Sequence, residues 1–307
     1  MFGEPEYPSY LNLKIDEIED RIQEASQIFS PCRLCPHACK VDRKNGQLGI
    51  CRSGRDIFIS SYNVHFGEEP PISGKFGSGT IFFTHCNLKC VYCQNYPISQ
   101  FGNGKKVTIL KLAQIMLELQ RKKCHNVNLV TPTHFIFQIM QSIKIAIELG
   151  LQIPIVYNSS GYDSVEVLKL LRGIVDIYLP DARYSDNVLG EKYSGAPHYF
   201  EIMKSALKEM HHQVGDLILD ENGIALSGLI IRHLILPERQ SGTKKIMKFI
   251  AKKISPHTHV SLMSQYFPAY RAKEYLSLSR KINDEENKEA LVEFKNAGLE
   301  NGWFQEN

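Results

Sequence analysis

From residue 79 onward, short runs of apolar and β-branched residues alternate with stretches of helical periodicity, and this alternation constrains the fold more than any other feature. The apolar runs are Thr80–Thr84, Val127–Thr131, Pro154–Asn158, Val175–Leu179, Leu229–Leu236 and His259–Met263. Between them, segments near Ile109–Lys122, Phe135–Leu149, Ser164–Leu171, Tyr199–Gln213 and Thr243–Lys253 place apolar residues three or four apart, and Asp284–Ala297 follows an irregular stretch. Strands without polar alternation are buried on both faces, and that pattern predicts a parallel sheet covered by helices. Six such units predict an α/β fold, either a partial barrel or an open sheet. No GxGxxG follows the first strand and no Walker loop occurs, so the usual nucleotide reasons for an open sheet are missing.

The N-terminal quarter has a different texture. Leu11, Ile15, Ile18, Ile22 and Ala25 mark a helix over about 11–29 that lies against the main body. The stretch from Cys32 to Gly79 is rich in Gly, Pro and polar turns, with one strand predicted at Asp56–Tyr62. Residues 1–78 are therefore expected to form a helix plus a small Cys-rich module, and residues 79–307 the barrel with a helical tail.

The chain has eight cysteines, and seven fall in two groups. Cys86, Cys90 and Cys93 follow the spacing CxxxCxxC directly after the first strand of the alternation. Three thiolates in one loop can each take one iron of a cubane cluster and leave the fourth iron open, as catalytic metals require. A zinc knuckle or a fully ligated ferredoxin-type cluster would need a fourth ligand nearby. His85 would crowd Cys86, and Cys124 lies 31 residues beyond Cys93. Cys32, Cys35, Cys39 and Cys51 form the second group, with His37 among them. Four thiolates can close a zinc site or hold a second cluster, and so small a module needs such a staple. Cys124 reads as structural.

Composition excludes several classes. Thirty-six basic and 33 acidic residues leave a net charge of +3, which argues against a protein built to grip nucleic acid. No segment approaches ~18 uninterrupted apolar residues, so no membrane span is expected. The N-terminus carries Glu4, Glu6, Asp16, Glu17 and Glu19 and lacks a basic start followed by an apolar run, so a cytoplasmic location is expected. Clustered thiols in that compartment are metal ligands before they are disulfides.

The CxxxCxxC loop, with the aromatic Tyr92 before its third cysteine and a strand before its first, resembles the radical S-adenosylmethionine (radical SAM) superfamily over about residues 79–265. The resemblance implies a partial (β/α)6 TIM-like barrel, a [4Fe–4S] cluster on Cys86, Cys90 and Cys93, and SAM on the open iron. Reductive cleavage of SAM would give a 5′-deoxyadenosyl radical that abstracts hydrogen from a substrate, with flavodoxin or ferredoxin as electron donor. The phrases at Val130–Phe135, Tyr157–Asp163, Asp176–Arg183 and Ile231–Pro237 are similar to those of pyruvate formate-lyase activating enzymes, which implies a protein substrate carrying a glycine.

The resemblance also implies site residues at the strand ends. Thr131 and Thr133 stand where many relatives carry a Gly-Gly-Glu stretch that contacts the SAM amine. Asn158, Ser159 and Ser160 suit the ribose or carboxylate. Asp181 and Arg183 resemble a DxK pair, and Gln265 and Tyr266 complete the ring. Of Arg232 and His233, one faces into the barrel, and His233 is expected on the substrate side. Two other readings stay open: an iron–sulfur electron carrier or redox sensor without SAM chemistry, and a radical SAM enzyme acting on a small molecule or RNA.

Overall fold

The computed structural model describes residues 7–304; Glu4 and Glu6 lie outside the described residues. In chain order the elements are α1 (Ile15–Phe29), β1 (Ile57–His65), α2 (Pro70–Ser73), β2 (Ser78–Phe83), α3 (Tyr96–Ser99), β3 (Lys105–Val107), α4 (Ile109–Arg121), β4 (Val127–Val130), α5 (Ile136–Glu148), β5 (Ile155–Ser159) and α6 (Val165–Leu170). They continue with β6 (Ile177–Pro180), α7 (Asn187–Ser194), α8 (Tyr199–Val214), β7 (Ile218–Leu219), β8 (Ala225–Leu234), α9 (Thr243–Lys253), β9 (His259–Met263), α10 (Asp284–Asn296) and β10 (Gly302–Phe304).

The sheet order is β10-β9-β8-β6-β5-β4-β2-β1-β3. All six expected strands, β2, β4, β5, β6, β8 and β9, are present and run parallel to one another. With their helices they form the partial (β/α)6 barrel. The sequence did not expose the two edges. The strand foreseen at 56–62 is β1, which pairs antiparallel with β2 and carries β3 on its other side. At the far edge, β10 adds in parallel to β9 within a tail expected to be only helical.

Side-chain alternation along the strands builds two cores. Leu129, Ile155, Tyr157, Tyr178, Leu229, Ile231 and Leu262 face the helices and belong to the main core, with Ile18, Ile22 and Ala25 of α1. Their neighbours Val156, Ile177, Leu179 and Ile230 face into the barrel and meet Ile72 of α2 in a second cluster. Because β1 runs against β2, the turn after it returns at the N-terminal ends of the barrel strands. Residues 66–76 therefore plug the floor, tied by the Asn126 amide donating to Ile72 O at 2.8 Å.

Helix ends follow local chemistry. Thr108 caps α4 by accepting from Lys111 N–H. Asp186 caps α7, whose last turn closes on Gly195 at φ +59°, a left-handed position that glycine adopts without strain. No helix of the described residues is long and apolar enough to cross a membrane.

Candidate active site

A cavity of about 660 Å³ opens at the C-terminal strand ends and runs into the barrel, with Cys86, Cys90 and Cys93 all on its wall. The loop that carries them is held by its backbone. Lys89 N–H donates to Ser194 O at 2.7 Å, Val91 N–H to Tyr193 O at 2.8 Å, and His85, at φ +63°, donates to Ile98 O at 3.0 Å.

Each sulfur has its own donor. Leu88 N–H reaches Cys86 Sγ at 3.3 Å, and Ser99 Oγ lies 3.0 Å from Cys93 Sγ. Cys90 Sγ lies 3.0 Å from Ser194 Oγ and accepts from Arg183 Nη1 at 3.6 Å. Such bonds stabilise sulfur as thiolate, the form that binds metal. Burial opposes them, pushing the Cys86 thiol up to about 12, with Cys90 adding to the effect. A bound cation supplies the missing charge. Among the described residues no three His, Cys, Asp or Glu side chains are gathered as one ion requires. A cubane does not ask for that, since it takes one thiolate per iron. The donor set fits a [4Fe–4S] cluster.

Of the strand-end residues foreseen from sequence, Thr131, Asn158, Ser160, Asp181, Arg183 and Gln265 line this cavity. Thr131 sits at φ +61°, where a β-branched side chain is strained by on the order of 1 kcal/mol, and its N–H donates to Asn158 O. Ser160 Oγ and Arg183 Nε are buried without a hydrogen-bond partner. Arg183 also pairs with Asp181.

Tyr92 and Thr133 do not line the cavity. The Tyr92 hydroxyl meets that of Tyr184, which bonds Ser194 Oγ at 2.7 Å, so Tyr92 ends a hydroxyl chain that reaches Cys90. Thr133 Oγ1 donates at 2.7 Å to the buried carboxylate of Asp163, which also accepts from Tyr157 at 3.0 Å and Ser159 at 2.6 Å. Burial pushes Asp163 upward against these three donors. Asp163 and Ser194 were missed by sequence, although Asp163 closes the Tyr157–Asp163 phrase.

The expectation for His233 is corrected. It is fully buried on the helix side, its Nδ1 donating to Ala182 O at 2.6 Å and its Nε2 facing Thr243 Oγ1 at 2.9 Å, while Arg232 lines the cavity. Burial lowers the His233 pKa to about 4. The folded state thus holds it neutral, and the unfolded chain takes up the proton first as pH falls below about 6.5. Stability of about 2 kcal/mol is expected to be lost between pH 7 and pH 5 through this group. Urea unfolding of wild type and His233→Gln at both pH values should show the wild-type advantage shrinking by that amount; an unchanged gap contradicts the assignment.

The second cysteine group lies directly behind the loop. Cys32, Cys35 and Cys51 are buried and Cys39 half-buried. Burial pushes the Cys35 thiol upward, with Cys51, Cys32 and Cys39 close enough to add to it. His37 Nε2 donates at 2.8 Å to the carbonyl of Asn87, between Cys86 and Cys90. Buried Arg43 braces the module, donating to Gly54 O and to His134 O at 2.7 Å. All eight cysteines are free thiols. Cys124 packs beside Gly79 at the start of β2, away from the Cys86 end.

A partial barrel with three converging thiols at its strand ends defines a class, and the radical SAM superfamily model matches residues 80–220. Residues 80–220 thus form a radical SAM superfamily domain. It is 36% identical over 302 residues to the uncharacterized protein MJ0674 of Methanocaldococcus jannaschii, covering 94% of this chain and 80% of that one. A second relative, the uncharacterized protein MJ0808 of the same organism, is 25% identical over 159 residues, 46% of each chain. Among solved structures, methylornithine synthase (PylB) gives a TM-score of 0.45 at 14% identity, covering 71% of this chain and 68% of that one. HydG, a maturase of the [FeFe]-hydrogenase, gives 0.47 at 14% identity, covering 71% and 48%. Overlap at that level carries no functional argument.

Proposed function

We propose that the protein is a radical SAM enzyme in which Cys86, Cys90 and Cys93 hold the catalytic [4Fe–4S] cluster and the cavity holds SAM and substrate. One observation carries this reading: three thiols, each with its own donor, share the wall of a cavity that reaches deep into the barrel, and the loop offers no fourth thiol. The bound pair of cofactors supplies reductive carbon–sulfur cleavage and hydrogen abstraction, chemistry that no side chain here can perform. The chain's own part is to orient and shield. Asp181 and Arg183 present a carboxylate and a guanidinium to the methionine end of SAM. Asn158, Ser160, Thr131 and Gln265 offer neutral donors and acceptors around it. Tyr92 and Thr133 act one step back, by fixing Cys90 and the β5 end.

The module at Cys32, Cys35, Cys39 and Cys51, within residues 1–78, is proposed to carry a second metal centre, zinc or iron–sulfur; zinc would require the thiols to gather more closely than they do here, whereas a cluster takes one thiolate per iron. Flavodoxin or ferredoxin is the proposed reductant, and the cytoplasm the proposed location. The likeness of four sequence phrases to pyruvate formate-lyase activating enzymes favours a glycyl-radical partner as substrate, with a small molecule or RNA as the alternative. The reading is tested by electron paramagnetic resonance of the anaerobically reconstituted, reduced protein. Added SAM is expected to shift the g-values of the cluster in the barrel. A spectrum indifferent to saturating SAM would favour the electron-carrier reading.

A further inference from the structure

We propose that Glu68, Glu69 and Arg232 form a recognition site inside the barrel for a substrate that carries an ammonium or amidinium group. The inference deepens the radical SAM reading and rests on it. Glu68 and Glu69 end the turn that follows β1 and enter the barrel from its floor. Arg232, an inward residue of β8, meets them there: its Nε lies 2.7 Å from Glu69 Oε1 and its Nη2 2.6 Å from Glu69 Oε2, and Nη2 also bonds Glu68. The side chains are only 7%, 5% and 16% exposed for Glu68, Glu69 and Arg232. All three line the cavity.

Charge decides what this cluster can bind. Arg232 already has a bidentate partner in Glu69, which is enough for a structural pair. Burial would push Glu69 upward, but the guanidinium outweighs it and holds the carboxyl below its usual range. Glu68 is then a surplus carboxylate. The other charged pair on the wall, Asp181 with Arg183, is neutral in sum, and the remaining basic side chain there is the imidazole of His65. Two carboxylates sharing one guanidinium leave the cluster one negative charge in excess, which favours a cationic ligand and repels an anionic one.

A second observation points the same way. Asn128 is fully buried and its Nδ2 donates to Glu68 Oε1 at 3.0 Å, yet its Oδ1 has no partner. Asn128 is not itself on the cavity wall, but it lies directly behind Glu68, and its free oxygen can be satisfied only by an N–H or O–H donor. Phe82 and Trp303 line the same cavity, and aromatic faces also favour cations.

The test uses the anaerobically reconstituted protein with SAM bound, probed by saturation-transfer NMR with butylammonium, butyrate and butanol. Butylammonium is expected to bind and butyrate not, and Glu68→Gln is expected to weaken the amine by about tenfold or more, as loss of one charged hydrogen bond requires. Butyrate binding as well as the amine, or amine binding unchanged in Glu68→Gln, overturns the proposal. Amine binding seen only without SAM also overturns it, by assigning the carboxylates to SAM itself. If Glu68→Gln fails to retain iron, the wild-type preference between ammonium and carboxylate decides. SAM cleavage measured in the same wild-type sample separates the two claims. Cleavage without amine binding sinks this inference alone, and absence of cleavage sinks the reading beneath it.

Discussion

Cys90→Ala is expected to abolish formation of 5′-deoxyadenosine from SAM while leaving the chain folded. Cys90 is 4% exposed, and the substitution removes one sulfur from a loop held by backbone bonds at Lys89 and Val91 that do not involve it. Ser194 Oγ and Arg183 Nη1 lose a partner, which costs about 1 kcal/mol in stability. The chemical loss is of another order, because the cluster then has two protein thiolates instead of three. Cys124→Ala is the matched control: it too removes a buried thiol, but one at the opposite end of β2, and cleavage should survive. Residual cleavage in Cys90→Ala, or its loss in Cys124→Ala, contradicts the placement of the cluster. Iron content and far-ultraviolet circular dichroism of both variants separate loss of chemistry from loss of fold.

The largest effect on stability is expected at Arg232. Arg232→Met removes the cation from between two carboxylates that are 7% and 5% exposed, and leaves them facing each other. Breaking a buried pair by deleting one partner costs about 3–5 kcal/mol, most of it the penalty of the stranded charge. Urea unfolding should show that loss. Adding Glu68→Gln and Glu69→Gln to the same chain should recover much of it, since neutral amides can be buried at lower cost. A loss under about 1 kcal/mol in Arg232→Met would mean that water or a counter-ion already screens the pair.

What the sequence disclosed and what it hid follow from the range of the interactions. The CxxxCxxC loop was legible because its three ligands lie within eight residues, so local spacing is already most of the geometry. The six parallel strands were legible because burial on both faces writes an unbroken apolar run. The phase of a strand was not. Alternation says that Arg232 and His233 face opposite ways, but only the pairing of β8 with β6 and β9 shows which way each faces. Glu68 and Glu69 were invisible as site residues because they belong to a turn in an apparently separate module. They reach the site only because β1 joins the barrel sheet antiparallel and delivers that turn to its floor. Tyr92 and Thr133 sit within legible phrases, yet each is fixed by partners distant in sequence, Tyr184 and Asp163.

The central claim is that this chain cleaves SAM at the cluster held by Cys86, Cys90 and Cys93. The most direct measurement is an anaerobic assay of the iron–sulfide-reconstituted, dithionite-reduced protein for 5′-deoxyadenosine from added SAM. The account predicts product that depends on reductant and disappears in Cys90→Ala. No product from wild-type protein with a verified reduced cluster would contradict it and leave an iron–sulfur electron carrier or redox sensor as the better description.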